Sequence, residues 1–515
     1  MEALVSLLAL AFFIYLMYQT MKYVFKIIFG AAKTANTSSN IFQHMALTPL
    51  RTLISLPQKG MMGYFEANRF LSSLHKGLVL DGQDKRLSEK DSFNHMGIIA
   101  RTGGGKTSCY IIPNILKLAR DKNSMILTDL SGELYDKTSG YLERQGYKVQ
   151  VLDPEKLYDS IGYNPLYYAL SSIEIDEIAE ILIKSANPGQ IKSEDKMWLD
   201  GAKSLLTILI KVLVATHDHR YINLANLRYL INNFGESGRA LDELIFKYAD
   251  EKTFNEWKGF VSGNPKTVQS FVSTANVALN AIGINDNLAY LTSNHHINFQ
   301  SFREQKTALF IRIPAQKQQQ YSFMLNLFYK QFFNAMMEKL PSRGDLPVYC
   351  LLDEFGNMNI PGFSSTITTI RKYKVSISIV LQDYNQLEHQ YGKNEALTIL
   401  NGGVTGKLFF SGADFQTTNM LSQMIGEHYV NKLDEYGKLH HIKEPILSNA
   451  EIRTMKDNEV LLIYGNRLPL KMKVKPYYKD FMLNSYTKFS PKKSDKNLID
   501  TRIEYIDLNV GLDDA

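Results

Sequence analysis

Cysteine is scarce in this chain of 515 residues, limited to Cys109 and Cys350. Two cysteines build no disulfide framework and offer no metal-ligand spacing, which points to a reducing compartment. No charge of one sign dominates either. The formal charge is +6, from 58 Lys and Arg against 52 Asp and Glu, so a basic nucleic-acid surface is permitted but has to arise from local clustering. Internal repeats and low-complexity tracts are missing. A hydrophobic content of 45% excludes a disordered chain and leaves a folded protein of roughly two to four domains.

Long apolar runs are also missing, with one exception. From Ala3 to Met21 the chain carries no charge (ALVSLLALAFFIYLMYQTM), about the length that crosses ~30 Å of hydrocarbon. Lys22, Lys26 and Lys33 follow it and no Lys or Arg precedes it. This pattern predicts a single membrane helix within residues 1–30, with the bulk of the chain in the cytoplasm. A cleaved signal peptide would want a basic stretch before the apolar run, and Met1-Glu2 supplies none. Residues 31–74 begin small and polar and read as a linker and lead-in. Gly77 to Asp81 (GLVLD) reads as a short strand.

The most informative stretch is Ile98 to Thr107, IIARTGGGKT. An apolar strand, Met96 to Ala100, runs into three glycines whose backbone has no Cβ to obstruct it. Successive N–H groups of Gly103, Gly104, Gly105, Lys106 and Thr107 can then curl around a phosphate chain. Ala100, Arg101 and Thr102 complete the nucleotide-binding loop. Lys106 would reach the β- and γ-phosphates and the Thr107 hydroxyl would bind Mg²⁺, with the positive end of the next helix aimed at the same anion. The strict pattern opens with Gly, and Ala100 stands there instead. Pro113 falls in the following helix, where it should remove a hydrogen bond and kink the chain.

Beyond this loop, apolar runs alternate with helical ones: Ser124 to Asp129, then Gly146 to Asp153. Such alternation indicates a parallel sheet covered on both faces. It stops at about residue 166 and gives way to helical patterns at Ile173 to Ile183, Lys196 to Ala215 and Asn223 to Ile231. Strands resume at Thr307 to Pro314, Val348 to Phe355, Val375 to Gln382, Lys407 to Ser411 and Glu459 to Gly465. The fold class is therefore α/β: a nucleotide-binding domain in two parts, 75–165 and 296–480, split by an all-α insertion at 166–295. The tail, 481–515, is charged and reads as a solvated terminus.

A P-loop needs a carboxylate strand, and VYCLLDEF ends in Asp353 and Glu354. Asp353 would hold the Mg²⁺ shell through water, and Glu354 would orient and activate the attacking water. Gln382 ends the next strand, where an amide can sense the γ-phosphate; an ordinary structural glutamine is the plainer reading. Arg371 lies just before that strand. It is either part of a solvated basic turn or an arginine finger reaching a neighbour's site.

The run LLDEFGNMNIPGFSSTITTIRKYKVSISIVLQDYNQLEHQYG resembles the type IV secretion coupling proteins of bacterial conjugation. DSFNHMGIIARTGGGKT followed by IIPNIL, TDLSGELYDKTSGYL, YNPL and DKMWLDGAKSLL agree with that family in the same order, across roughly residues 75–480. Ser131 departs from the lysine the family often has there. The resemblance implies a RecA-like P-loop ATPase interrupted by an all-α domain and assembled as a homo-hexamer at the membrane. Position by position, Lys106 and Thr107 match its P-loop, Asp353 and Glu354 its acidic strand end, Arg371 its intersubunit arginine and Gln382 its strand-ending glutamine.

The expected function is a membrane-anchored ATPase, using ATP and Mg²⁺, that couples a relaxase-bound DNA strand to a type IV secretion channel. Its expected partners are the relaxase–DNA complex, the channel proteins, single-stranded or duplex DNA, and the membrane. A duplex-DNA translocase, a protein-secretion ATPase and a non-hydrolysing membrane receptor are the alternatives.

Overall fold

The computed structural model describes residues 60–187, 194–235, 238–433, 439–491 and 497–508. The expected membrane run, Ala3 to Met21, lies outside these. Among the described residues no helix is long and apolar enough to cross a membrane.

Nine strands form one sheet in the order β11-β10-β7-β1-β6-β5-β2-β4-β3. They are β1 (Met96–Ile99), β2 (Ser124–Asp129), β3 (Lys148–Leu152), β4 (Thr307–Arg312), β5 (Val348–Leu352), β6 (Val375–Leu381), β7 (Gly406–Phe410), β10 (Glu459–Tyr464) and β11 (Leu470–Lys473). Only β10 runs antiparallel, pairing with β7 and β11. Every residue of β1, β2, β5, β6 and β7 is buried, as expected of strands covered on both faces. That double burial is why these segments read as continuous apolar runs.

Side chains of alternate parity feed two cores. On one face Ile98, Leu127 and Leu351 pack with the helix that follows the glycine loop, with the helix Glu133–Arg144 and with the antiparallel edge. On the other, Ile99, Ile126 and Leu352 meet Ser322–Met337, a helix apolar on most of its surface and mostly buried, as such a helix must be. Between β3 and β4 the described residues contain helices and no strand, including Ser172–Ala186, Lys196–Ala215, Leu224–Asn232 and Pro265–Ala278. Their apolar sides belong to the same continuous cluster as the second face of the sheet.

Several expectations need correction. Gly77 to Asp81 forms only a single antiparallel bridge, Val79 to Arg86, instead of a strand. Pro113, by contrast, falls inside a helical stretch as expected: the π-helical turn Lys106–Ile111 runs directly into the α-helix Ile112–Leu118, Ile112 donates to the Thr107 carbonyl five residues back, and the proline, with no N–H to donate, stands just past that change of hydrogen bonding. The strand β11 and a separate hairpin, β8 (Glu427–Leu433) with β9 (Leu439–Pro445), were not foreseen.

The tail is not simply solvated. The Phe481–Tyr486 helix and Phe489 lie against Tyr141, with Tyr486 stacked on it at 4.3 Å between ring centroids. Further on, residues 497–508 cross the helices between β3 and β4 as an extended strap. Asn294 donates to the Asp500 carbonyl (2.9 Å) and accepts from its N–H (3.1 Å). Asn226, fully buried, does the same with the Glu504 carbonyl and the Ile506 N–H, both at 2.9 Å. Ile499 and Ile506 are buried. The charged residues point outward while the backbone is gripped, which charge counting does not reveal.

Candidate nucleotide site

The C-terminal ends of parallel strands are where ligands bind in open α/β sheets. Here they gather the glycine loop after β1, Asp353 and Glu354 after β5, and Gln382 after β6. The strand order matters, because β6 lies between β1 and β5 and so places Gln382 between the loop and the acids.

The loop has the backbone of an anion cradle. Gly103 and Gly105 take φ of +74° and +90°, conformations that only glycine adopts readily, and a Cβ at Gly104 would stand 2.9 Å from the Arg101 carbonyl oxygen. Ala100 is buried and still in ladder contact, its N–H donating to the Leu381 carbonyl at 3.1 Å. The loop is anchored below by Tyr110, whose hydroxyl meets Ser378 of β6 at 2.8 Å.

Lys106 opens the helical turn and is 9% exposed. Its ammonium pairs directly with Glu354 and stands 3.8 Å from Asp353. The Gln382 side-chain amide donates to the other Glu354 oxygen at 3.0 Å, and its Oε1 accepts from the Thr102 hydroxyl at 3.3 Å. Loop, amide, acid and lysine thus form one hydrogen-bonded series, from Thr102 through Gln382 and Glu354 to Lys106. Burial raises the Asp353 carboxyl to about 6, against the pull of Lys106 and with a further push from Glu354. Glu354 has φ +54°, an uncommon backbone for a non-glycine residue and one found at functional turns.

Thr107 is half-buried next to Lys106. With Asp353 it offers the sparse oxygen set that suits Mg²⁺ held mainly by phosphates and water. Among the described residues no group of three or more His, Cys, Asp or Glu could hold a metal by itself. The residues present therefore fit a magnesium nucleotide.

Arg101 belongs to the glycine loop, where its carbonyl accepts from the Gly104 N–H at 2.9 Å, while its side chain is exposed and reaches Asp457 at 3.4 Å, a surface pair of little energetic weight. Arg371 sits at the opposite end of β6 from Gln382, about 20 Å away along the strand. It is exposed and makes a 3.4 Å contact to Asn94. The structure does not bring it to the chain's own glycine loop.

Sequence reasoning missed the neighbouring acids and their cation. Asp129, at the end of β2, accepts from the Leu134 and Tyr135 N–H groups, and Arg312, at the end of β4, lies 3.6 Å from Asp153. The strand-ending Asp of TDLSGEL was the available signal.

Three comparisons bear on this geometry. A family model described as Type IV secretory system Conjugative DNA transfer matches residues 66–505. Protein VirD4 of Rhizobium rhizogenes is 23% identical over 408 residues, covering 76% of this chain and 59% of its own length. The chain thus spans about three-fifths of that relative. Among solved structures, the bacterial conjugative coupling protein TrwBdeltaN70 in an unbound form has a TM-score of 0.62 at 17% identity, covering 80% of this chain and 91% of its own. TrwB in complex with ADP and Mg²⁺ has a TM-score of 0.62 at 17% identity, covering 81% and 93%. At that identity the likeness speaks for the fold.

Proposed function

This chain belongs to the Type IV secretory system Conjugative DNA transfer family, and from that premise we propose that it is a P-loop ATPase powering DNA export. The carrying observation is the hydrogen-bonded series Thr102, Gln382, Glu354 and Lys106 across the ends of β1, β6 and β5. In this reading the two strand groups are one RecA-like motor domain and the helices at 166–295 are an inserted unit. Residues 1–30 anchor the chain in the membrane, and six copies form a ring. The ring receives relaxase-bound DNA and passes it to the secretion channel.

Bound Mg²⁺–ATP supplies a phosphoanhydride whose cleavage releases energy. The chain's own residues determine when that happens. The amides of Gly103 to Thr107 hold the phosphates, and Lys106 leaves the acid pair to neutralise them. Its departure frees Glu354 to accept a proton from water, while Asp353 and Thr107 orient the metal shell. Gln382 stays within reach of both Glu354 and Thr102 and links the state of the loop to the end of β6. Arg371, remote from its own loop, is assigned to a neighbour's site.

The reading is tested in donor cells. With Lys106→Ala in place of the natural chain, plasmid transfer should cease while the plasmid is still nicked at its origin. Transfer at the natural level would overturn it.

A further inference from the structure

The segment after β6 reads Gln382-Asp383-Tyr384-Asn385-Gln386 and opens the helix Tyr384–Leu397. Asp383 is the N-cap, accepting from the Gln386 N–H at 3.0 Å. In a capping box the third helical residue would return the bond to the N-cap's own N–H. Gln386 instead reaches one residue further and accepts from the Gln382 N–H at 3.2 Å. That displaced bond needs room, and Gly356 provides it. A Cβ on Gly356 would lie 2.6 Å from Gln386 Oε1 and 2.8 Å from its Cβ. Gly356 is two residues beyond Glu354.

The same helix grips the rest of that turn. The Tyr391 ring stacks on Phe355 (5.8 Å between centroids, 13° between planes), and its hydroxyl accepts from the Ile360 N–H at 3.1 Å. Left-handed backbone at a residue such as Glu354 persists only where its surroundings over-determine it. One helix therefore holds the turn that carries Glu354 and the backbone that carries Gln382.

We propose that Gln386 is a positioning residue for ATP hydrolysis, registering the Gln382 end of β6 against the Glu354 turn, beside which Gly356 lets the start of its helix stand. The proposal rests on the ATPase reading above. If Gln386 served only to start a helix, its loss would lower stability and leave the chemical step alone. As a positioning residue it acts on kcat, because a small displacement of an aligned group costs rate more than binding.

The test is steady-state ATP turnover by the full chain in detergent. Gln386→Met removes the acceptor and keeps the bulk; kcat should fall roughly 10- to 100-fold with KM for ATP within about threefold. Gln386→Glu keeps an acceptor for the Gln382 N–H and should stay within about fivefold of the natural kcat. Gly356→Ala should also lose kcat, because its Cβ would stand 2.8 Å from the Gln386 Cβ and push the start of that helix off the Glu354 turn. Unchanged kcat in a folded Gln386→Met chain, or equal loss in Gln386→Glu and Gln386→Met, would each overturn the proposal. Wild-type chain without any turnover would overturn the ATPase reading and this proposal with it.

Discussion

Lys106 is the cation for two carboxylates, and removing it should reveal what they cost. The three side chains are only 11, 14 and 17% exposed, for Lys106, Asp353 and Glu354 respectively. One unit-charge pair at about 4 Å is worth about 4 kcal/mol at an effective dielectric constant of about 20. Lys106→Ala also abolishes the ammonium's own desolvation cost, so the net loss of folding stability near pH 8 should be about 2–3 kcal/mol. The pH dependence follows from Asp353. Its folded pKa of about 6 lies above the ordinary carboxylate value, so the folded chain binds this proton more tightly than the unfolded chain does. Stability from this group therefore rises as the pH falls through about 6 towards 4, and is lost as the pH rises again. Without Lys106 the folded pKa climbs further, and protonation relieves the repulsion already near neutrality. The deficit of Lys106→Ala should shrink to about 1 kcal/mol near pH 5.5. Urea unfolding of the full chain in detergent at the two pH values measures both quantities. A variant as stable as the natural chain at pH 8, or a deficit that does not shrink in acid, would refute the reasoning.

Gly105→Ala forces a Cβ onto φ +90° and should cost about 1–3 kcal/mol while weakening nucleotide binding; calorimetric titration with a magnesium nucleotide checks it. Asn226→Ala leaves the Glu504 carbonyl and Ile506 N–H without their partner. It should cost about 1–3 kcal/mol and speed hydrogen exchange across residues 499–506, an effect that exchange mass spectrometry would locate. If Arg371 completes a neighbour's site, Arg371→Ala and Lys106→Ala chains should each be inactive alone and regain part of the turnover when mixed. No recovery in mixed assemblies would place Arg371 outside the reaction.

The strands were legible because a doubly covered parallel sheet leaves unbroken apolar runs; Ser124 to Asp129 was read with the ends it has. The hairpin of β8 and β9 was not, because β9 is exposed along nearly its whole length and LHHIKEP has no apolar alternation to read. Lys106, Asp353 and Glu354 were legible from local motifs. The weight of Gln382 was not, since it depends on β6 lying between β1 and β5, a matter of sheet order that no local pattern encodes. Likewise, the strap at 497–508 is held through its backbone by Asn226 and Asn294 and by the burial of Ile499 and Ile506, two isolated isoleucines whose spacing shows no helix or strand period. Nor does any local pattern pair Gln386 with Gly356, thirty residues earlier, which only the fold brings beside it.

The central claim is that the site built from Thr102, Lys106, Glu354 and Gln382 hydrolyses ATP to drive DNA. The direct measurement is ATP turnover by the full chain with and without DNA, alongside Glu354→Gln. The account predicts turnover stimulated by DNA, and in Glu354→Gln a fall of roughly 10²–10⁴-fold with nucleotide binding retained. Natural turnover in Glu354→Gln, or turnover indifferent to DNA, would contradict it.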